Sequence, residues 1–140
     1  MIRRIAQRQQ NDCVICVVAM LMAPFHDYDS VCIESNKYEK NARAGKFYTW
    51  WESFLRDYGR PISYRPFMDL YELPQFDGRV VGVLGMDMPH LRASHIVCVD
   101  EIGVVDPADG VPDHIGLPEY VLSRRAQGTI FHTEFLVVGT

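Results

Sequence analysis

Long hydrophobic runs, targeting segments and clusters of basic residues are all missing from this sequence. Its longest strongly apolar stretch, residues 14–25, is too short to cross the core of a bilayer. Residues 1–10 are polar and basic, without the apolar segment and cleavage site of a secretory signal. The net charge is −4 and the basic residues are largely scattered, so we predict no nucleic-acid surface. Together these absences favour a cytoplasmic protein that binds no membrane.

Cysteine is sparse, and no second pair of closely spaced metal ligands is present. The four cysteines are Cys13, Cys16, Cys32 and Cys98. A chain of this size without an export signal does not need disulfides, so we expect free thiols. Neither Cys32 nor Cys98 has a neighbouring ligand, and the histidines lie far apart in the sequence. We therefore expect no metal and no cofactor.

The composition is that of one ordinary folded domain. The 140 residues are 48% hydrophobic and 23% charged, which is too apolar for a disordered chain. No internal repeat or low-complexity segment is visible, and proline and glycine are spread out as turn residues. We predict a single domain over residues 1–140, with one functional site.

An apolar run near the start of the chain predicts a buried helix. Residues 13–23 are apolar on every side and lie between Asn11-Asp12 and Pro24. Asn or Asp before such a run is a common helix cap, and proline ends a helix. Because the run has no polar face, we expect this helix in the middle of the domain.

Two further helices are predicted before the chain changes character. One is capped by Asp29 and Ser30 and continues to about residue 40, and the other covers residues 46–58. The second has aromatic residues at helical spacing, which usually belong to the core. These are Phe47, Trp50, Trp51 and Phe54.

After residue 61 short β-rich runs replace the helical pattern. We expect strands over residues 79–84, 94–100, 103–106 and 128–138. A helix is expected over residues 118–125, with Arg124 and Arg125 as solvated charges that complement its dipole. Residues 100–103 predict a hairpin turn between the second and third strands. Helices followed by an antiparallel sheet indicate an α+β fold.

Three of these elements carry residues with the chemistry of a nucleophilic site. Cys13 opens the buried helix, where unpaired backbone N–H groups and the helix dipole favour the thiolate. His95, near the start of its strand, has the chemistry to accept the thiol proton and return one to a leaving group. Asp106, on the other side of the hairpin, suits the carboxylate that orients the imidazole. Side-chain alternation turns Cys98 away from His95. We predict a Cys13, His95 and Asp106 catalytic triad.

A nucleophilic cysteine also requires donors for the negative charge that develops on the attacked oxygen. The backbone N–H of Cys13 is one expected donor, and a side-chain amide from Gln7, Gln9 or Gln10 is the other. In an extended segment side chains alternate, so Gln7 and Gln9 share one direction while Gln10 points elsewhere. The periodicity leaves Gln7 and Gln9 both open.

Two stretches of the chain carry a family resemblance. Residues 7–21 include Asp12-Cys13, and residues 94–110 include His95 and Asp106-Pro107. Both resemble the bacteriocin-processing peptidases, papain-like cysteine peptidases that cleave double-glycine leaders from peptide substrates. The resemblance implies a papain-like fold, in which the N-terminal helix with the cysteine packs on an antiparallel sheet. In that family a glutamine six positions before the cysteine supplies the oxyanion amide, which implies Gln7.

The sequence departs from this family at two positions beside the cysteine. Val14 replaces the usual glycine after the cysteine, and Cys16 falls one position early. No transporter segments follow, so the resemblance implies a stand-alone version. The triad residues are untouched by these departures, whereas cleavage of double-glycine leaders does not carry over to this chain.

We predict a cysteine peptidase or a closely related amide-bond hydrolase, and three alternatives to this prediction remain. The same triad supports deamidation or acyl transfer on a partner protein. A binding module that keeps the fold without catalysis is the second alternative. Cys13 and Cys16 also form a C-x-x-C pair at a helix start, as in thiol–disulfide redox proteins, although residues 1–12 do not supply the preceding strand.

Overall fold

An antiparallel sheet separates two layers of helices. The structure, a computed structural model, describes residues 2–9, 12–43, 50–108 and 110–139. Its α-helices are α1 (Cys13–Met22), α2 (Tyr28–Arg43), α3 (Trp50–Asp57) and α4 (Leu117–Ala126). Its strands are β1 (Ile62–Pro66), β2 (Val80–Met88), β3 (Ala93–Val99), β4 (Val104–Val105), β5 (Ile130–Phe131) and β6 (Glu134–Gly139). Short 3₁₀ helices cover Phe67–Phe76 and Pro89–Leu91.

The strands are ordered β1-β6-β2-β3-β4, and β5 pairs with the far end of β2. Every described pairing is antiparallel. The order places β6, the last strand of the chain, between β1 and β2 in the interior of the sheet. The expected mixed α and β architecture with an antiparallel sheet is therefore present.

Alternation along the strands divides the core in two, one on each face of the sheet. The face toward α1, α2 and α3 includes Val81, Val83, Cys98, Leu136 and Val138. The face toward α4 and the longer 3₁₀ helix includes Leu84, Met86, Val97, Val99 and Val137. The side-chain alternation predicted for this strand is confirmed, since Cys98 lies on the opposite face from Val97 and Val99.

Helix α1 is buried along most of its length, as its uniform apolarity predicts. All seven residues of Cys16–Met22 are buried. Burial of a large apolar side chain stabilises a fold by about 1.5 to 3 kcal/mol. Packing of this kind outweighs the modest helix propensity of valine and isoleucine. A charged residue in place of Val18, which has no exposed surface, would destroy the packing. No described helix is long and apolar enough to cross a membrane.

The other helices follow the sequence predictions with one correction at a cap. Helix α2 begins at Tyr28, and the capping residue is Asp27 rather than Asp29. Asp27 Oδ1 accepts the Ser30 N–H at 2.8 Å, and the Ser30 hydroxyl accepts the Asp27 N–H at 3.0 Å. This reciprocal pair is a capping box, in which Ser30 is the third helical residue and not the cap.

The aromatic residues of the third predicted helix occupy the core as expected. Phe54 in α3 has no exposed surface, and Trp50 and Trp51 pack against the same core. The structure describes this helix from Trp50, so the predicted segment 46–49, including Phe47, lies outside the described residues.

The strand predictions hold for β2, β3 and β4 but are wrong in two other places. Residues 128–138 form two strands, because their register against β2 shifts by two residues between the pairs Phe131–Met86 and Leu136–Val83. Next to this shift, the His132 N–H donates to the Gly85 carbonyl at 3.0 Å. Gly85 permits this approach, since a Cβ there would lie 2.4 Å from the His132 ring. Strand β1, which contains Pro66, was not expected. Proline is tolerated there because β1 is an edge strand.

Candidate active site

The hairpin between β3 and β4 brings His95 and Asp106 together. Cys98 pairs with Val105 and Val99 with Val104, and the turn is closed by the Asp100 N–H, which donates to the Gly103 carbonyl at 3.0 Å. This register places Asp106, just after β4, beside His95 on β3. The distance from His95 Nε2 to Asp106 Oδ1 is 2.7 Å, and both side chains are buried.

Cys13, the first residue of α1, lies on the opposite side of the His95 ring. Cys13 and His95 line the same cleft, and each shifts the pKa of the other as a hydrogen-bond partner and through its charge. Since Nε2 faces Asp106, Nδ1 is the ring nitrogen left for the thiol. The structure therefore brings the three predicted residues together, with the imidazole between the thiol and the carboxylate.

The surroundings of Cys13 favour its thiolate. Burial raises the pKa of the thiol, but the hydrogen bond with His95 and the backbone N–H of Ile96 outweigh burial. The charge of His95 and the backbone N–H of Val14 act in the same direction, so the pKa lies below its ordinary value of 9. A thiolate is the reactive form of cysteine.

The pKa of His95 is shifted in the opposite direction from the pKa of Cys13, as expected for an acid and a base that interact. Burial lowers the pKa of His95, but its hydrogen bonds to Asp106 and Cys13 and their charges raise the pKa to about 9. A thiol of lowered pKa beside an imidazole of raised pKa favours transfer of the proton from sulfur to nitrogen. The arrangement favours a thiolate and imidazolium pair around neutral pH.

Asp12, the residue at the start of α1, does not cap the helix as expected. Its Oδ2 accepts the Arg8 N–H at 3.0 Å, the Gln9 N–H at 3.1 Å and the Tyr28 hydroxyl at 2.5 Å. The side chain makes no hydrogen bond to the helix N–H groups. These groups are therefore not covered by Asp12, and the Val14 N–H instead stabilises the Cys13 sulfur. The other half of the predicted cap, Asn11, lies outside the described residues.

Of the glutamines considered from the sequence, the structure places Gln7 at the site. Gln7 lines the same cleft as Cys13 and His95. Its N–H donates to the Pro107 carbonyl at 2.7 Å, which attaches the N-terminal segment to the loop after Asp106. Its Nε2 donates to the Gln9 carbonyl at 3.2 Å and would turn from it to reach an oxyanion. Gln9 is exposed, and Gln10 lies outside the described residues.

Two residues of α4 complete the surroundings of Asp106, and the sequence analysis missed both. The Tyr120 hydroxyl donates to Asp106 Oδ2 at 2.7 Å, and Arg124 Nη2 donates to the same oxygen at 3.0 Å. The interpretation of Arg124 as a solvated charge is wrong, since its side chain is only 21% exposed. Arg125 is exposed as expected and lies over the rings of Phe67 and Phe131. The signal in the sequence was the i, i+4 spacing of Tyr120 and Arg124, which places both on one helix face.

Four donors hold the Asp106 carboxylate as an anion. His95 and the Ala108 N–H, at 2.8 Å, bind Oδ1, whereas Tyr120 and Arg124 bind Oδ2. Burial raises the pKa of Asp106, but the hydrogen bond and charge of His95 outweigh it, with help from Ala108 and Tyr120. The pKa therefore lies well below its ordinary value.

Cys13 and His95 border a cleft of about 500 Å³, whereas Asp106 is buried behind His95. Leu91 is 62% exposed and, with Met88, gives the cleft an apolar edge. Ser94 and Ala108 supply small side chains beside His95. The thiol of Cys13 therefore borders a cleft with both polar and apolar lining.

The remaining cysteines are free thiols in surroundings unlike those of Cys13. Burial raises the pKa of Cys16 to about 12 and also raises the pKa of Cys98. Burial together with the charge of Asp29 raises the pKa of Cys32. Among the four, Cys13 is the cysteine whose pKa is lowered.

Neither a metal centre nor a known relative identifies the site. Across residues 2–9, 12–43, 50–108 and 110–139, no group of three or more His, Cys, Asp or Glu side chains is arranged to hold a metal ion. Comparison with protein-family models, with curated proteins and with solved structures gave no match to the chain. The functional assignment therefore depends on the geometry of the site.

Proposed function

We propose that the chain is a papain-like cysteine hydrolase that cleaves a peptide or related amide bond in a peptide or protein substrate. The observation that carries this proposal is the chain of contacts from Cys13 through His95 to Asp106. A thiol of lowered pKa beside an oriented imidazole is the arrangement of a nucleophilic cysteine. The buried helix on an antiparallel sheet, and the resemblance of residues 7–21 and 94–110 to the bacteriocin-processing peptidases, support the papain-like assignment.

The proposed reaction has two steps that share one covalent intermediate. The Cys13 thiolate attacks the substrate carbonyl carbon, and a carbon–sulfur bond forms as the carbonyl oxygen takes the negative charge. Protonated His95 then gives its proton to the leaving amine, and the carbon–nitrogen bond breaks. A water molecule, deprotonated by neutral His95, then attacks the acyl carbon of the thioester. The carbon–sulfur bond breaks, the acid product leaves, and Cys13 returns as a thiolate beside protonated His95. Asp106 keeps the ring oriented throughout.

The negative oxygen of each tetrahedral intermediate needs donors on the side of the α1 N-terminus. The backbone N–H of Cys13 and the side-chain amide of Gln7 take this role. Gln7 suits it because its backbone is hydrogen bonded to Pro107 and its side chain lines the cleft. A donor of this kind lowers the barrier by about 3 to 4 kcal/mol.

The acceptor that resolves the acyl-enzyme defines the reaction. Water gives hydrolysis of a peptide bond or deamidation of a side-chain amide, whereas an amine on a partner gives acyl transfer. Leu91 and Ser94 at the edge of the cleft are exposed, so water reaches it, which favours hydrolysis. The alternative of a C-x-x-C redox pair loses support, because Cys16 is fully buried and its pKa is raised to about 12.

Selective alkylation tests the nucleophile without a known substrate. Iodoacetamide at neutral pH should label Cys13 well before Cys32, the other cysteine with some exposure, as followed by mass spectrometry of peptide digests. The His95→Ala variant should lose this preference. Labelling of Cys13 and Cys32 at equal rates in the folded wild-type protein would contradict the proposal.

A reactive ester tests the acyl-enzyme. Incubation with p-nitrophenyl acetate should release a burst of nitrophenol equal to the enzyme concentration and add one acetyl group to Cys13. Cys13→Ala provides the matched control and should show neither. A folded wild-type protein with a fast-labelling Cys13 but no burst would indicate the non-catalytic binding module.

A further inference from the structure

We infer that Arg124 is a positioning residue of the site: its guanidinium holds the Asp106 carboxylate toward His95 and supplies the positive charge that balances a buried thiolate. The inference rests on the proposed function, since it assigns a role within the same triad. Its starting observation is that one oxygen of Asp106 serves His95, while the other is held from α4 at 3.0 Å by Arg124 and at 2.7 Å by Tyr120.

The charges around the triad balance only when Arg124 is counted. A thiolate at Cys13 and a carboxylate at Asp106 carry two negative charges, and protonated His95 carries one positive charge. Asp106 has no exposed surface and His95 is 7% exposed, so water screens this excess negative charge poorly. The Arg124 guanidinium, in direct contact with Asp106, brings the described side chains of the site to neutrality.

Other charged and titratable groups around Asp106 do not replace Arg124. Tyr120 binds the same carboxylate oxygen, but burial raises the pKa of its phenol, which stays neutral. From the N-terminal segment, the Arg4 guanidinium donates to the main-chain carbonyls of Asp106 and Ala108, and not to the carboxylate. Within the described part of the chain, Arg124 is therefore the cation that contacts the Asp106 side chain in addition to protonated His95.

Contacts on several sides keep Arg124 in place. Its guanidinium lies 5.3 Å from the centre of the Tyr120 ring, and Nη1 lies 3.9 Å from the sulfur of Met88 on β2. Arg124 also lines the cleft that contains Cys13 and His95. A planar guanidinium held in this way fixes the direction of the carboxylate it binds, which a flexible solvated charge would not do.

The neighbouring Arg125 provides a matched control. It lies one residue further along α4, is exposed, and lies over Phe67 and Phe131, 5.4 and 5.9 Å from their ring centres. Arg124→Gln and Arg125→Gln remove the same charge from the same helix. They differ in whether that charge contacts Asp106.

The test is the pH dependence of Cys13 alkylation by iodoacetamide in both variants, with thermal unfolding measured in parallel. Loss of the Arg124 charge disfavours the thiolate, so the acid limb of the rate profile should move up by about one pH unit. Arg125→Gln should leave the midpoint unchanged. Arg124→Lys, which keeps a cation, should have a midpoint close to that of the wild-type protein. A purely structural role would lower the unfolding temperature without moving the midpoint.

The outcomes separate this inference from the proposed function. A wild-type Cys13 that reacts as an ordinary thiol would overturn both. A fast wild-type Cys13 with equal midpoints in Arg124→Gln and Arg125→Gln would overturn the role of Arg124 alone. If Arg124→Gln does not fold, Arg124→Met, which keeps an unbranched side chain without the charge, decides: an acid limb moved up by about one pH unit supports the inference, and a wild-type midpoint contradicts it.

Discussion

A His and Asp pair lies at each end of the hairpin between β3 and β4, and the two pairs differ in their third partner. At the turn, Asp100 binds His114 from the segment before α4, and at the open end Asp106 binds His95. His114 Nε2 lies 2.9 Å from Asp100 Oδ2, close to the 2.7 Å of His95 and Asp106. In both pairs the aspartate is fully or almost fully buried. The hydrogen bond between histidine and aspartate therefore does not by itself distinguish a catalytic pair from a structural one.

Their surroundings give the pairs different roles. Asp100 accepts backbone N–H groups from Ile2 at 2.8 Å, Ile102 at 2.9 Å and Gly103 at 3.1 Å, so it holds the turn and the N-terminal segment. Asp106 accepts side-chain donors from α4, and its histidine faces a thiol. A His and Asp hydrogen bond thus becomes chemically significant through the group on the other ring nitrogen.

Replacement of each histidine should show the largest difference between the two pairs. His95→Ala should slow Cys13 alkylation at neutral pH by about a thousandfold, because burial then raises the thiol pKa above its ordinary value and little thiolate remains. His114→Ala should change the rate by less than about twofold. Alkylation kinetics by mass spectrometry measure both. A similar loss in the two variants would mean that the pairs are not distinct.

The two aspartates should differ next in their effect on the imidazole. Asp106→Asn removes the charge that opposes burial, so the pKa of His95 should fall from about 9 by roughly two to three units. Asp100→Asn should leave the pKa of His95 almost unchanged. Titration of the ring carbon signals by NMR gives both values. A His95 that still titrates near 9 in Asp106→Asn would assign the shift to Cys13 alone.

The N-terminal segment reaches both pairs, and its Gln7 end should matter for turnover. Gln7→Ala should lower turnover of an ester or peptide substrate by roughly a hundredfold, with little change in folding stability, because one oxyanion donor is lost. Gln9→Ala, with an exposed side chain, is the control. Near-normal turnover in Gln7→Ala together with a collapse in Gln9→Ala would show that the donor is misplaced.

The smallest expected effect concerns the stability that the Asp100 pair supplies. Asp100→Ala should lower the free energy of unfolding by about 2 kcal/mol, since a buried acceptor of three N–H groups is lost. The preference of iodoacetamide for Cys13 should persist in the folded variant. Chemical denaturation and alkylation of the same sample measure both properties. Loss of the preference without loss of stability would reverse the assignment.

The sequence predicted those parts of the site that lie on regular elements. Cys13 could be placed because an apolar run that starts after Asp12 and ends before Pro24 defines where α1 begins. His95 and Asp106 could be related because a short hairpin fixes the register of its two strands. In each case a local pattern was enough to define which elements carry the side chains.

Contacts made between distant segments could not be predicted in the same way. The contact of Arg124 with Asp106 depends on how α4 packs against the sheet. The i, i+4 spacing places Arg124 on the same helix face as Tyr120, but it does not show that this face meets Asp106. The side chain of Asp12 turns to Arg8, Gln9 and Tyr28, although its position favours a cap. Side-chain partners of this kind are set by tertiary packing, which outweighs local preference.

The interior position of β6 has a consequence for how the protein gains reactivity during synthesis. Residues 134–139 follow the other described strands in the sequence, yet they pair with both β1 and β2. The sheet that presents His95 is therefore incomplete until the ribosome has released this segment. Cys13, made early, should stay an ordinary thiol on the nascent chain. The rate of Cys13 alkylation, followed after refolding is started, therefore reports when the native sheet has formed. Because the pairing of β6 is non-local, this rate should rise over milliseconds to seconds.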